Sequence, residues 1–274
     1  MPNRTVSQAR SFKQNPNHYP RKLKVGIYNA LTRTESNYPL IKNPKRILIQ
    51  CQEKIGDGIL LFPLLYGLKL FFPDLSIDIL CSRRNREIFN KVSFIEKIFT
   101  YRNGNKLWEK LNSNKYDIFY NPKDHPSITS FRIAKRVKAK VKVCISNKRH
   151  DQHYNYALKN LNAKRILEKN ALLLKEYDKS FKILPWLPIN NDQIKNHEVC
   201  INISSGSPYR EWSVKKWIDL INMIYENDKS TKINIIAINK DQNKINEIKR
   251  KIGHSINFHS NFNNILDSVS IIFK

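Results

Sequence analysis

The chain has 274 residues, of which 41% are hydrophobic and 11% aromatic, enough to bury a sizeable core in one large or two modest domains. It is strongly basic, because 49 Lys and Arg oppose 23 Asp and Glu for a formal net charge of +26. These values exclude a mainly disordered chain. They indicate an anionic partner, which is a nucleic acid, an anionic membrane surface or a phosphorylated substrate.

The positive charge is concentrated in the first two thirds of the chain. Residues 1–45 have a net charge of +8 and residues 46–185 of +15, whereas residues 186–274 have only +3. Residues 1–45 are also polar and interrupted by five prolines. We predict that they form a basic lead-in segment, partly disordered at its start.

The sequence predicts neither secretion nor a membrane span. The first 20 residues lack the apolar run of a signal peptide. The longest apolar stretch, residues 58–72, is shorter than the roughly 20 residues that cross a bilayer. The four cysteines form no C-x-x-C pair, so we expect buried thiols in a reducing compartment and no metal site. This favours a cytoplasmic protein and leaves open a peripheral contact with the inner face of the cytoplasmic membrane.

Short apolar strands alternate with amphipathic helices from residue 46 onward. RILIQC at Arg46–Cys51 and SIDILC at Ser76–Cys81 are typical of buried strands. The alternation predicts βαβ units around a parallel sheet. The further predicted strands are Ile95–Thr100, Tyr116–Tyr120 and Val141–Ile145, and the predicted helices are Ile59–Phe72, Arg84–Asn90, Leu107–Asn112, Ser127–Arg136 and Ala157–Tyr177.

A second unit follows a linker marked by Pro185, Trp186 and Pro188. We therefore expect a lead-in over 1–45, a Rossmann-like domain over 46–185 and a second Rossmann-like domain over 186–274. Two such domains bind ligands at the carboxyl ends of their strands and in the cleft between them. The predicted elements of the second unit are strands Val199–Ile203, Lys232–Ile238 and Ile256–His259, and helices from the N-cap Ser213 to Asn227, Gln242–Ile252 and Phe262–Val269, before the strand-like ending Ser270–Lys274.

Asp57 lies between Gly56 and Gly58 in the loop after the first strand. The small neighbours leave its carboxylate approachable, so it could act as a general base. The alternative is an ordinary helix N-cap, a position that Asp favours. The local sequence leaves both open, and the loop has neither the P-loop pattern nor the dinucleotide fingerprint.

The loop after the first strand of the second unit, SSGSPYREW, precedes a predicted helix N-terminus. Free N–H groups and the helix dipole favour phosphate there, and an arginine can grip phosphate oxygens with two hydrogen bonds. The alternative is an ordinary polar loop with a surface arginine. The candidate phosphate-binding residues are Ser204, Ser205, Gly206, Ser207 and Arg210.

Two further segments carry polar or charged clusters. Lys123, Asp124 and His125 follow another predicted strand and are candidate substrate contacts, although a lone histidine is more often structural. Residues 131–150 hold eight basic and no acidic residues. Such a run is usually a solvated face, and the aromatic motifs of RNA-recognition modules are absent.

The first unit contains a recognisable series of motifs. Ile55-Gly56-Asp57 is followed by a Phe62–Leu65 segment reading FPLL, then by Leu68-Lys69, and then by Pro73–Leu80 with its Ile-Asp-x-Leu ending. Further on, Tyr116–Ser127 is followed by a helix, and Ile201–Trp212 is followed by Trp217. Over residues 46–274 this combination resembles glycosyltransferase family 9, the ADP-heptose:lipopolysaccharide heptosyltransferases.

The resemblance implies an α/β fold of the GT-B type, with two Rossmann-like domains facing a cleft. It implies inverting transfer of a heptose from ADP-heptose to the lipopolysaccharide inner core, with no cofactor and no metal. Asp57 matches the family's catalytic base. Arg210 stands where the family usually has Lys and would stabilise the departing diphosphate, and Asp241 matches, loosely, an acidic residue that contacts the nucleotide.

On the acceptor side, the resemblance brings Gly56, Lys123, Asp124 and His125 to the lipopolysaccharide core, with Asn121 where the family often has Asp. The acceptor is anionic and lies at an anionic membrane, which agrees with the basic first two thirds of the chain. Nucleic acid is accordingly not expected as a partner.

The sequence departs from the family at its end. The family continues into an Asp-Thr-Gly-x-x-His loop that helps to hold the donor, and this chain stops at SIIFK. The expectation is a C-terminally truncated member whose second domain is incomplete. The alternatives are an inactive truncated member that retains a binding role, and a glycosyltransferase that uses another nucleotide sugar.

Overall fold

The computed structural model describes residues 18–31, 34, 38–102, 104–159, 165–188 and 197–262, with the side chains of 18–22 and 31 left out. The chain divides into two compact units, Met1–Pro188 and Ile189–Lys274. No helix in these described ranges is both long and apolar enough to cross a bilayer.

The described part of the first unit contains a six-stranded, fully parallel sheet with the order β3-β2-β1-β4-β5-β6. Its middle strands are buried along almost their whole length, as expected where helices cover both faces. Between the neighbouring strands β1 and β4 the direction of sheet growth reverses, and such switch points bind ligands in α/β proteins. The strands are β1 (Arg46–Cys51), β2 (Ser76–Cys81), β3 (Ile95–Thr100), β4 (Tyr116–Asn121), β5 (Ala139–Ile145) and β6 (Tyr156–Leu158).

Helices cover both faces of this sheet. Because parallel crossovers are right-handed, the helix after β1 and the helix after β4 lie on opposite faces. The helices are α1 (His18–Leu31), α2 (Ile55–Ile59), α3 (Phe62–Phe71), α4 (Arg86–Phe89), α5 (Asn105–Asn112), α6 (Ile128–Arg136), α7 (Ile166–Asn170) and α8 (Leu172–Tyr177). On the α6 face, Ile133 packs with Leu48 of β1, Phe119 of β4 and Trp108 and Leu111 of α5 in one buried cluster.

Residues 55–71 form two helices, where the sequence predicts a loop up to Gly58 followed by one helix over Ile59–Phe72. The first piece, α2, ends at Ile59, and α3 begins at Phe62 with Pro63 in its first turn. Proline is accepted there because the first N–H groups of a helix have no partner within it. The division leaves Asp57 on a short helix of its own.

Two sequence expectations are corrected. The helical region predicted over Ala157–Tyr177 is wrong at its beginning, because Tyr156–Leu158 is extended and pairs in parallel with β5. Pairing with a sheet edge outweighs the local helix signal, and the helices described in this region are α7 and α8. Cys200, expected to be buried, is exposed in the middle of the strand Glu198–Asn202, whereas Cys51, Cys81 and Cys144 are buried as expected.

The described part of the second unit is a three-stranded parallel sheet of order β7-β8-β9 with two helices. Ile201, Ile233 and Ile235 of the sheet pack with Ile221 and Ile245 of the helices. The N-cap predicted at Ser213 is confirmed, since its hydroxyl accepts a hydrogen bond from the Lys216 N–H at 3.4 Å. Predictions for residues 263–274 lie outside the described residues. The elements are β7 (Glu198–Asn202), α9 (Val214–Asn227), β8 (Lys232–Ile236), α10 (Gln242–Lys251) and β9 (Asn257–His259).

Candidate functional site

A pocket of about 140 Å³ opens in the first unit at the carboxyl ends of β1 and β4. This is the switch point of the sheet, where the loops after the two strands diverge. Asp57 lines the pocket from the β1 side, and Lys123, Asp124 and His125 line it from the β4 side. The structure thus brings four of the predicted site residues to one place, although more than 60 positions separate Asp57 from Lys123.

Asp57 is the third residue of α2 and is half-buried. Its Oδ2 accepts a hydrogen bond from the backbone N–H of Lys54 at 3.2 Å, as the third residue of a capping box does. Asp57 is therefore not the N-cap itself. The hydrogen bond engages one oxygen and holds the carboxylate at the edge of the pocket, so capping and a role in the pocket are compatible.

The two glycines beside Asp57 have different surroundings. A Cβ on Gly58 would lie 2.7 Å from Cδ1 of the buried Ile88, so this position admits no side chain without movement. A Cβ on Gly56 would meet no atom within 4 Å. Gly56 is exposed, and its side of the loop is open to a ligand.

The cluster after β4 is held by ion pairs. Lys123 pairs with Glu53 from the β1 loop. Asp124 pairs with Lys169 of α7 at 2.5 Å and with Nδ1 of His125 at 3.3 Å. Burial alone would raise the pKa of Asp124, but its bonds to Lys169 and His125 outweigh burial and lower the pKa.

Among the pocket residues that were not identified from the sequence, three hold its sides together. Glu53 and Lys169 complete the ion pairs, and Asn170 donates to the Leu60 carbonyl at 2.8 Å, which ties α7 to the loop before α3. Lys169 and Asn170 lie in the region predicted incorrectly as one long helix, and no motif marks them. Proximity to Asp124 and Leu60 in the fold is the only signal that identifies them.

In the second unit, the loop after β7 brings Ser204 against Asp241. The Ser204 hydroxyl donates to Asp241 Oδ2 at 2.6 Å and accepts from the Ile238 N–H at 2.9 Å. Asp241 is buried and also pairs with Lys244 at 3.3 Å. Burial would raise the pKa of Asp241, but its bonds to Ser204 and Lys244 outweigh burial and lower the pKa. Ser204 and Asp241 thus join the β7 and β8 loops.

The rest of that loop is a tight turn with a cation at its end. The Ser205 hydroxyl donates to the Ser207 carbonyl at 2.8 Å and accepts from the Ser207 N–H at 3.1 Å, with Gly206 at the tip. Arg210 ends a short 3₁₀ turn and is exposed, and its guanidinium forms no ion pair with any residue of the described ranges. An arginine so placed can bind a phosphate.

Two lysines near this loop were also missed from the sequence. Lys240 donates to the Ser205 carbonyl at 2.8 Å, and Lys244 pairs with Glu211 at 2.6 Å. Lys240 precedes α10 and Lys244 lies in its first turn, and the sequence pattern predicted this helix correctly. The pattern does not predict contacts with residues more than 30 positions earlier in the chain. Together with Arg210 they give the loop a cationic border.

One group in the described part of the chain has the side chains of a metal site, namely Cys144, His150 and Asp151. Asp151 accepts hydrogen bonds from the Ser146 hydroxyl at 2.8 Å and from the Asn147 N–H at 2.6 Å. His150 Nε2 lies 2.6 Å from the Ile145 carbonyl. These hydrogen bonds stabilise the turn after β5, and this structural role explains why the three residues lie together.

Comparison with known proteins supports the fold. No family model matches the sequence, and no curated protein sequence matches it. The glycosyl transferase family 9 structure from Veillonella parvula aligns at 14% identity with a TM-score of 0.62, covering 83% of this chain and 70% of that one. E. coli heptosyltransferase WaaC with ADP aligns at 13% identity with a TM-score of 0.66, over 83% and 77% of the two chains.

A third structure, E. coli ADP-heptose lps heptosyltransferase II, aligns at 16% identity with a TM-score of 0.57, over 76% of this chain and 69% of that one. At such identities the alignments establish the fold. The resemblance that the motifs indicated is therefore confirmed at that level. This chain has the GT-B-type α/β fold of the family 9 glycosyltransferases.

Proposed function

We propose that the protein is an inverting, metal-independent glycosyltransferase that transfers a sugar from a nucleotide-sugar donor to an acceptor hydroxyl. The observation that carries the proposal is the Asp57 carboxylate, half-buried in a pocket at the switch point of a GT-B-type sheet. A carboxylate there can act as a general base on a bound hydroxyl.

In the proposed reaction, Asp57 takes the proton of the acceptor hydroxyl while that oxygen attacks the anomeric carbon of the donor. The bond between the anomeric carbon and the diphosphate oxygen breaks, and the nucleoside diphosphate leaves with the electron pair. Arg210 binds the departing diphosphate and stabilises its charge. Gly206 and the hydroxyls of Ser204, Ser205 and Ser207 form the rest of the donor loop.

The finer proposal concerns the two substrates. We propose ADP-heptose as donor and the lipopolysaccharide inner core as acceptor, on the motifs shared with family 9. One similar structure is that of WaaC with ADP-2-deoxy-2-fluoro heptose, aligned at 12% identity with a TM-score of 0.64. We propose that Asp241 supports the nucleotide through Ser204, to which it is bonded at 2.6 Å.

The acceptor proposal is supported by the polar groups and the open side of the pocket. Lys123, Lys169 and His125 offer hydrogen-bond donors to an acceptor. Their charge is balanced by Glu53, Asp57 and Asp124 in the same lining, and Gly56 leaves one side open. The excess of basic residues over 1–185 is consistent with an enzyme that acts at the anionic cytoplasmic surface of a membrane.

The first test is Asp57→Asn, which keeps the shape of the side chain and removes the base. We expect sugar transfer to fall by roughly 100-fold or more, the usual contribution of a general base. Nucleotide binding should persist, because Asp57 belongs to the acceptor pocket. A coupled assay for nucleoside diphosphate release measures the first, and a nucleotide-induced shift of the melting temperature measures the second.

The matched control is Asp74→Asn, an exposed carboxylate in the turn before β2. It should transfer at the wild-type rate. Wild-type transfer by Asp57→Asn would contradict the assignment of the base. Loss of nucleotide binding in the same variant would show that Asp57 maintains the structure and not the chemistry.

A further inference from the structure

The helix α1 is attached to the first unit by one face. Val25 is buried, and the Tyr28 ring lies 6.0 Å from the Phe131 ring of α6. Asn29 donates to the Arg149 carbonyl at 2.8 Å, and its Oδ1 lies 2.8 Å from Nε2 of His153. These contacts fix the rotation of α1 about its axis, so its other face is turned outward.

The outward face of α1 is apolar. Leu23 is 68% exposed and Ile27 is 53% exposed, and Ala30 is exposed as well. Positions i, i+4 and i+7 lie on one side of an α-helix. The three side chains therefore form an apolar stripe along α1. In water such a stripe is unfavourable, because large aliphatic side chains gain free energy by leaving it.

Exposed basic side chains lie on α1 and on the elements that contact it. Lys24 lies beside it on α1, and α6, against which α1 packs, exposes basic residues along its outer side. The turn that binds Asn29 exposes two more. Apart from Arg136, which lies over the Trp108 ring, these cations form no ion pair or ring contact with the described residues. We define the basic border as Lys24, Arg132, Lys135, Arg136, Lys148 and Arg149.

We propose that α1 is an in-plane membrane anchor, whose apolar stripe enters an anionic lipid surface while the basic border binds the headgroups. A helix with aliphatic residues on one side and flanking lysines and arginines suits the boundary between headgroups and acyl chains. A nucleic acid would use the basic border but not Leu23 and Ile27, so the exposed aliphatic pair favours lipid. The inference rests on the membrane part of the proposed function and not on its chemistry.

Co-sedimentation with vesicles tests the anchor. The full chain is mixed with vesicles of equimolar phosphatidylcholine and phosphatidylglycerol, or of phosphatidylcholine alone, at low and at moderate salt. We expect wild type to bind the anionic vesicles. The double variant Leu23→Ser, Ile27→Ser should bind them roughly tenfold more weakly or worse, because two aliphatic side chains no longer enter the lipid.

Leu70→Ser is the matched control. Leu70 is 61% exposed and lies on α3, the helix after β1, on the sheet face opposite α6. It should bind vesicles as wild type does. Arg132→Gln with Lys135→Gln should weaken binding to anionic vesicles and reduce its salt dependence. Leu23→Phe enlarges the stripe and should strengthen binding. Its melting temperature and its sedimentation without vesicles should match wild type, which separates this gain from misfolding.

Several results would overturn the anchor. These are no binding of wild type to anionic vesicles, equal binding by the Leu23→Ser, Ile27→Ser variant, or an equal loss with Leu70→Ser. Salt-sensitive binding to duplex DNA that is unchanged in that double variant, with no vesicle binding, would assign the basic border to nucleic acid. The ADP-induced shift of the melting temperature distinguishes failure of the anchor from failure of the proposed chemistry. If only the anchor proposal is wrong, every variant keeps the ADP shift. If only the donor-site proposal is wrong, the ADP shift is absent and vesicle binding is unaffected.

Discussion

Gly67 lies in the middle of α3, at the point where α3 contacts α8 and the segment that follows α8. A Cβ there would lie 2.7 Å from Cδ1 of the buried Leu174 and 2.9 Å from Cζ of Phe181. Contacts this short require the neighbours to move, and Leu174 is fully buried. The absence of a side chain at Gly67 therefore permits this close packing, at some cost in helix propensity.

We predict that Gly67→Ala destabilises the first unit by roughly 1 kcal/mol or more, because overpacking costs more than the helix propensity returns. Gly26→Ala on α1 is the matched control, since a Cβ there meets no atom within 4 Å. It should stabilise by about 0.5–1 kcal/mol. Urea unfolding followed by circular dichroism measures both, and a stabilising Gly67→Ala would show that Leu174 has room to withdraw.

Asp78 is a buried acidic residue in the middle of β2, and its two polar partners account for its position there. It is fully buried on β2, accepts a hydrogen bond from the Tyr116 hydroxyl at 2.7 Å and lies 3.3 Å from Nε of Arg46. Burial raises the pKa of Asp78, and the two partners offset part of that rise. The residue thus ties the beginnings of β1, β2 and β4 together.

At the scale of elements, the packing of α1 against the first unit includes contacts with the buried His153. His153 stacks on Phe131 with ring centroids 4.0 Å apart and contacts Asn29 of α1. Burial, with a smaller effect from nearby His150, lowers the pKa of His153 to about 4. In the unfolded chain a histidine has a pKa near 6.5. Between these values the unfolded chain binds a proton that the folded chain does not, so stability falls as the pH drops from about 6.5 to 4.

We predict that His153→Gln reduces this loss of stability. Melting temperatures of wild type and variant, measured from pH 7.5 down to pH 4.5, should converge toward the acid end, because glutamine does not titrate. His197→Gln is the control at a histidine whose side chain is 81% exposed and lies 3.5 Å from Asp228 at the surface. Because a pair at the surface contributes little to stability, this variant should follow the wild-type profile closely. Parallel profiles for wild type and His153→Gln would mean that His153 accepts its proton in the folded state.

For the whole molecule, the decisive question is which nucleotide the chain binds. We predict that ADP raises the melting temperature and that UDP, GDP and CMP do not. At 100 times the dissociation constant a ligand stabilises the fold by about 2.7 kcal/mol. Arg210→Ala should lose most of the shift, whereas Lys229→Ala, an exposed cation at the turn after α9, should keep it.

The alternatives give different titrations. A shift with another nucleotide would retain the glycosyltransferase and replace the donor. No shift with any nucleotide, from a protein that melts cooperatively, would favour an inactive member with a binding role only.

Much of the fold follows from local sequence. The strands β1, β2 and β3 begin and end where their apolar runs predict, and Ser213 caps α9, because burial periodicity and capping depend on neighbouring residues alone. The motifs around Asp57 likewise indicate the fold family, because they consist of residues close together in the chain. Within the candidate site, Asp57, Lys123, Asp124 and His125 could be nominated because each follows a predicted strand.

The tertiary structure decided which of these residues meet. The strand order places β1 beside β4, so Asp57 and the Lys123 cluster share a pocket that Lys169 completes from α7. In the same structure Tyr156–Leu158 pairs with β5 as an edge strand, and α1 is oriented with Leu23 and Ile27 exposed. These outcomes depend on pairing between segments far apart in the chain, and local periodicity carries no information about which distant segment becomes the neighbour.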